Sequence, residues 1–279
     1  LDILAFQAGS GESWLERAEA GAVQYIEKPG AEVCFLTFAA ENGGITGLMG
    51  SESIRKALSL SVDRKALADT LAGSCVPAYT FVPPVVQVGD SAFHTAESGR
   101  ILEQQAEYST DEALRELSES IRNYGILNPL TLRLRGGEYL ARNWQKRLGI
   151  LVTVDVTSDA ESRMSQLDFD LCINSWNGGA SPYDYLCLAE DSYRLKYLTG
   201  AYSNEEVDEL LETVTSISDE EERADCYHEI ENMILDEAGV GPLYFPNIRY
   251  FTQSRVQGVS FTSFGPALDF SRASVTGGE

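Results

Sequence analysis

The stretch from Leu130 to Ser175 constrains the fold most, because its hydrophobic period switches repeatedly between that of a strand and that of a helix. Leu130–Arg135 (LTLRLR) alternates apolar and polar side chains, the period-two pattern of a half-buried strand. Tyr139–Leu148 has helical spacing and stops at Gly149. Val152, Val154 and Val156 alternate in a second strand, Glu161–Gln166 supports a helical turn, and Asp170–Ser175 is a short apolar strand. Strand, helix, strand, short helix, strand reads as successive βαβ units, in which a crossover helix returns the chain to a parallel neighbour. The expected class is α/β, with a mixed, largely parallel sheet flanked by helices.

The last of these strands leads into the most informative loop. Leu171-Cys172-Ile173 feeds Trp176, and Asn177–Pro182 (NGGASP) follows. In open α/β sheets, ligands sit in crevices outside the carboxyl ends of the strands. A tryptophan and a glycine-rich turn at that position build one wall of a cleft: the indole supplies apolar contact, and loop amides supply hydrogen bonds. A core tryptophan followed by an ordinary turn uses the same residue types, so the loop alone leaves both readings open. The candidate contacts here are Trp176, Asn177, Gly178, Gly179, Ser181, Tyr183 and Asp184.

The rest of the chain supplies flanking elements. Ser13-x-x-Glu16, Ser109-x-x-Glu112 and Ser218-x-x-Glu221 read as capping boxes that open helices, and Asp63 and Ser203 read as further N-caps. Glu32–Phe38 (EVCFLTF) is a near-continuous apolar run of strand length, preceded by a short strand at Val23–Ile26 and the turn Pro29-Gly30. Ala39–Gly50 is a glycine-rich loop. The helix opened at Ser109 stops at Gly125, and the one opened at Ser218 runs to about Glu237, where Gly241-Pro242 breaks it. Leu243-Tyr244-Phe245 then begins a strand, which adds Tyr244 and Phe245 to the candidate contacts.

Charge and motifs narrow the function. With 21 basic and 43 acidic residues the formal charge is −22, which argues against nucleic acid or an anionic membrane as partner. The acids lie on helices, as at Glu205, Glu206, Asp208, Glu209 and Glu212, and read as a solvated face. No window approaches a transmembrane length of apolar residues. No leader is read at the start, where Leu1–Phe6 already has strand character, so a processed chain or a fragment is expected. The five cysteines form no C-x-x-C pair, and the two histidines, His94 and His228, lie far apart without a nucleophile motif nearby. Neither an enzyme, a metal site nor a cofactor is expected.

Several segments together resemble the extracellular solute-binding proteins of peptide and nickel ABC transporters. Ser53–Arg64 (SIRKALSLSVDR) is similar to that family's helix-pair signature. Ser109–Gly125, Arg147–Ile150, Asp168–Trp176 (DFDLCINSW), Tyr202–Asp208 (YSNEEVD) and Glu237–Tyr244 are similar to further segments, in the family's order. The likeness covers nearly all of this chain but only the second half of a family member.

The resemblance implies one lobe, residues 1–279, of a two-lobe periplasmic-binding-protein-like (type II) fold, with 250–279 returning toward the hinge or first lobe. It implies reversible capture of a peptide or similar small solute, delivery to an ABC permease, a monomer, and an extracellular or periplasmic location with a lipoprotein anchor in the full-length protein. The same type of domain also serves as the sensing part of cytoplasmic regulators, and nickel carriers share the family; both remain alternatives. In peptide-binding members an acidic residue three positions after the tryptophan pairs with the peptide's α-amine. Here that position is Gly179, and the nearest acid is Asp184.

Overall fold

A computed structural model describes residues 3–5, 12–71, 75–95, 111, 113, 115, 131–135, 138–155, 158–193, 195–264 and 268–276. The helix expected over Ser109–Gly125 lies almost entirely outside these residues.

One large sheet organises the chain. Its strands are β1 (Ile3–Ala5), β2 (Gln24–Pro29), β3 (Glu32–Phe38), β4 (Cys75–Pro77), β7 (Thr131–Arg135), β8 (Leu151–Val154), β9 (Leu171–Asn177) and β10 (Val240–Thr252), while β5 (Gln87–Val88) and β6 (Ser91–Ala92) form a separate hairpin. The main path runs β1-β10-β3-β9-β7-β8, with β2 and β4 also paired to β10. The helices are α1 (Glu12–Glu19), α2 (Glu52–Leu60), α3 (Arg64–Thr70), α4 (Glu138–Leu148), α5 (Ala160–Ser165), α6 (Tyr183–Leu186), α7 (Glu205–Val214) and α8 (Glu220–Asp236).

The sheet is mixed, but its parallel part is smaller than the sequence led us to expect. β7 is parallel to both β8 and β9, as the βαβ order requires. The pairings of β9 with β3, and of β10 with β1, β2, β3 and β4, are all antiparallel. The parallel reading came from one segment, and the pairing of its last strand with a strand far upstream leaves no local trace in the sequence.

Alternation along β3 explains the two-sided core. Val33 and Phe35 enter one cluster with Tyr185, Val207, Leu211, Ile230 and Ile234. Leu36 and Phe38 enter the other with Ile54, Leu58, Leu140 and Trp144. Helices therefore cover both faces, and β3 reads as a continuous apolar run because neither face meets water.

The helix-pair signature owes its form to two buried arginines. Arg55 Nε donates to Ala238 O (3.1 Å), Nη1 to Met49 O (2.9 Å) and Nη2 to Glu237 O (2.8 Å). It thus satisfies carbonyls just past the C-terminus of α8, which the helix cannot satisfy itself. Arg64 Nε donates to Pro242 O (2.7 Å), and burial lowers its guanidinium to about 10. The second arginine of the pair thereby ties α3 to β10.

Four local expectations shift by a residue or more. Asn204 caps α7 in place of Ser203, accepting from Glu206 and Val207 N–H. Asp219 caps α8 in place of Ser218, accepting from Glu221 and Glu222 N–H. Ser13 lies inside α1. Gly241-Pro242 does not separate helix from strand but lies within β10, where register shifts between Pro242 and Tyr244. A bulge is one of the few places where a sheet tolerates a proline.

Candidate ligand-binding site

The site loop grows directly out of β9. Trp176 and Asn177 are the last residues of that strand, not the first residues beyond it. In register, Trp176 stands opposite Val33 and Asn177 opposite Glu32, so the sheet end is set by β3. The half-buried indole packs against the cluster on one face, and its Nε1 donates to Asp184 O at 2.8 Å. Its polar edge is therefore already used to fold the loop back on the strand.

Two glycines make that fold-back possible. A Cβ at Gly178 would lie 2.9 Å from Asp184 O and 3.0 Å from the Tyr185 ring. Tyr185 is fully buried and donates its hydroxyl to Ala31 O (2.6 Å), clamping α6 to the start of β3. Burial, with Asp184 nearby, raises its phenol well above the ordinary value. At Gly179 a Cβ would overlap Asp184 Oδ2 and lie 2.8 Å from Asp184 Cγ. The carboxylate of Asp184 thus occupies the space in which a side chain at position 179 would begin.

Ser181 and Asp184 fix this carboxylate reciprocally. Ser181 N–H donates to Asp184 Oδ2 (3.0 Å), and Tyr183 N–H donates to Ser181 Oγ (3.3 Å). The arrangement has the logic of a capping box, with each side chain satisfying an orphan amide at the start of a short helix. Tyr183 turns outward to Glu190, its hydroxyl 3.5 Å from Oε2; burial raises its phenol, and Glu190 adds to the effect.

The structure brings Trp176, Asn177, Gly178, Gly179, Ser181 and Asp184 together at one end of β9. Tyr244 stands two strands away, in the row that runs through Cys34 to Ser175. It is half-buried, and burial followed by the neighbouring Cys34 raises its phenol. Phe245 is 4 % exposed and belongs to the core beneath the wall, so it supports the site from behind. Glu32, beside Asn177, and Tyr185 are structural partners that the sequence reading missed. A charged residue opening an otherwise apolar strand was the signal for Glu32.

All five cysteines are buried free thiols. Among the described residues no group of three His, Cys, Asp or Glu side chains is placed to hold a metal ion, and no helix is long and apolar enough to cross a membrane.

The architecture is that of an α/β lobe with both sheet faces covered by helices and a glycine-built loop at a strand end. Residues 2–194 match the family model of the bacterial extracellular solute-binding proteins, family 5, and the chain belongs to that family. It is 28 % identical over 200 residues to the probable deoxycholate-binding periplasmic protein YgiS of Escherichia coli, covering 69 % of this chain and 36 % of that protein. It is 25 % identical over 212 residues to the periplasmic oligopeptide-binding protein OppA of Haemophilus influenzae, covering 69 % and 37 %. The chain thus spans well under half the length of these relatives. In fold it superposes on the substrate-binding domain of an oligopeptide ABC transporter from Bacillus anthracis with a TM-score of 0.79, at 19 % identity, covering 99 % of this chain and 55 % of that one. Peptide-bound OppA of Listeria monocytogenes gives a TM-score of 0.77 at 20 % identity, covering 99 % and 54 %. These neighbours establish the type II fold. Members of the family are binding proteins.

Proposed function

We propose that this chain is the ligand-capturing lobe of an importer's solute-binding protein, taking a peptide or a similar small solute that carries a cationic end. The observation that carries the reading is the Asp184 carboxylate. Peptide-binding relatives are expected to keep an acid three residues after the tryptophan. Here Gly179 leaves that place open, and Asp184 fills it from the start of α6. A negative charge held by Ser181 N–H stands beside the Asn177–Gly179 backbone, where an extended ligand would find amides and carbonyls. Trp176 offers the exposed part of its ring as apolar contact, and Tyr183 and Tyr244 border the site more distantly.

Capture on this reading makes and breaks no covalent bond. The ligand enters between this lobe and a second one, and closure follows as a population shift toward the state with more contacts. A membrane permease receives the closed, monomeric protein outside the cytoplasm, where a lipid anchor tethers it. Residues 250–279 lead back toward the hinge, a placement supported by the pairing of the end of β10 with β1 and β2.

Calorimetry with a free-amine tripeptide and its N-acetylated form tests the reading. A protein carrying both lobes binds the free-amine form more tightly, and Asp184→Asn removes that preference. Equal affinity for the two forms, unchanged by the substitution, refutes it. The 279 residues alone, which span well under half the length of the relatives named above, are expected to bind more weakly than a protein carrying both lobes.

A further inference from the structure

The chain has two histidines, and the structure brings their rings together although they stand 134 positions apart in sequence. His94 ends the segment that follows the β5–β6 hairpin, and His228 lies on α8; their ring centroids are 5.6 Å apart. Phe93 stacks on His228 at 4.2 Å and 17° and meets His94 at 4.5 Å. His228 Nε2 is 3.1 Å from Phe93 O.

One buried carboxylate serves this pair. Glu231 is 1 % exposed, and its Oε1 accepts from the N–H groups of Phe81 (2.9 Å) and Val82 (2.8 Å). Its Oε2 lies 3.1 Å from His94 Nε2, out of line for a good hydrogen bond, and His94 Nδ1 is buried with no partner. The groups facing the imidazoles are Glu231 and Asp225 from α8 and, across the pair, each other; the Tyr227 phenol meets Phe93 edge-on at 6.3 Å.

We propose that His94, His228 and Glu231 form a proton-sensitive clamp that holds the Phe81–His94 segment against α8, and that protonation of the second imidazole loosens it. The first proton has Glu231 as a counter-charge. The second would put two cations, with ring centroids 5.6 Å apart, beside one carboxylate, and with His94 buried and His228 half-buried their repulsion is only partly screened. Burial, followed by the proximity of His94, holds His228 below its ordinary value, while Glu231 and Asp225 act in the opposite sense. The unfolded chain takes up that proton more readily than the native one. Stability is therefore full above the unfolded value of about 6.5 and falls as pH drops below it toward the depressed native value. One such proton changes the folding equilibrium by up to about tenfold per pH unit in that window.

The clamp lies one residue from the site's own support. The Tyr227 phenol has the Ser181 side chain as a neighbour, and the Ser181 N–H donates to Asp184 Oδ2. Loosening of α8 is thereby transmitted to the loop at Gly179. The clamp does not depend on the function proposed above; only its consequence for capture rests on that reading.

A ligand-free experiment keeps the two apart. The imidazole resonances of the full chain are titrated by NMR, and thermal unfolding is followed from pH 8 to pH 5, for wild type, His228→Gln and His94→Gln. The expected result is that His228 titrates below its ordinary value. Wild type loses more stability on acidification than either variant, and exchange of the Phe81 and Val82 amides accelerates only in wild type. His228 titrating at or above its ordinary value, or a pH slope unchanged in whichever variants fold, overturns the proposal.

Discussion

Gly179→Ala tests the packing of the site loop without assuming any ligand. The new methyl carbon overlaps Asp184 Oδ2 and comes within 2.8 Å of Cγ. Ordinary contact needs roughly 3.5 Å or more, so the carboxylate must swing away. That movement breaks its 3.0 Å hydrogen bond with Ser181 N–H. Hydrogen bonds to charged groups contribute about 1.5–3 kcal/mol, and the half-buried position places this one near the lower end, at about 1.5 kcal/mol. A double-mutant cycle isolates the effect. Gly179→Ala lowers stability by about 1.5 kcal/mol in the wild-type background. In an Asp184→Ala background the space is vacant, and the same substitution is close to neutral. Denaturant unfolding of the four proteins supplies the coupling energy. Equal costs of the alanine in both backgrounds would refute the claim that Asp184 occupies the place of a side chain at 179.

Two further expectations concern the body of the lobe. Arg55→Met keeps the volume but leaves the carbonyls of Met49, Glu237 and Ala238 without their donor; stability falls by about 3 kcal/mol, seen as a drop in Tm of roughly 6–12 °C. A drop within about 1 °C would show that water replaces the guanidinium at no cost. Burial pushes the Cys34 thiol up to about 12, against an opposing hydrogen bond with Tyr244, so its contribution to stability is complete below the ordinary thiol value of about 8.5 and declines as pH rises from there toward 12. Cys34→Ala flattens that part of the alkaline stability profile, and an unaltered profile would contradict the assignment.

The sequence made some elements legible and hid others for physical reasons. Glu32–Phe38 was readable to the residue, because burial on both faces writes itself as an unbroken apolar run. Asp63 was readable as an N-cap because it is a local device, and its carboxylate accepts from Ala66 N–H at 2.9 Å. The caps of α7 and α8 slipped by one residue because serine stands beside an equally good capper at both Ser203-Asn204 and Ser218-Asp219. Long-range facts were invisible. Nothing local in β9 specifies β3 as its antiparallel partner, and nothing around His94 announces His228 or Glu231. At the candidate site, the sequence placed a glycine-rich turn after Trp176, where β9 ends. It did not show that the indole N–H of Trp176 is spent on Asp184 O, or that Phe245 faces inward.

The long strand β10 has a consequence for how the sheet deforms. Its first half pairs with β3 and β4 and its second with β1 and β2. Between the halves the chain passes twice, once at Pro246-Asn247 and once at Pro29-Gly30, joined by a bond from Gly30 N–H to Pro246 O at 3.2 Å. Each passage contains a proline, which donates nothing to the ladder. A Cβ at Gly30 would come within 2.6 Å of Pro246 O, so the two backbones lie closer there than bulkier residues allow. Elastic stiffness is therefore uneven along the sheet. It is high where residues 250–252 of β10 are bonded on two edges and low along the line through Gly30 and Pro246, where a bending load concentrates.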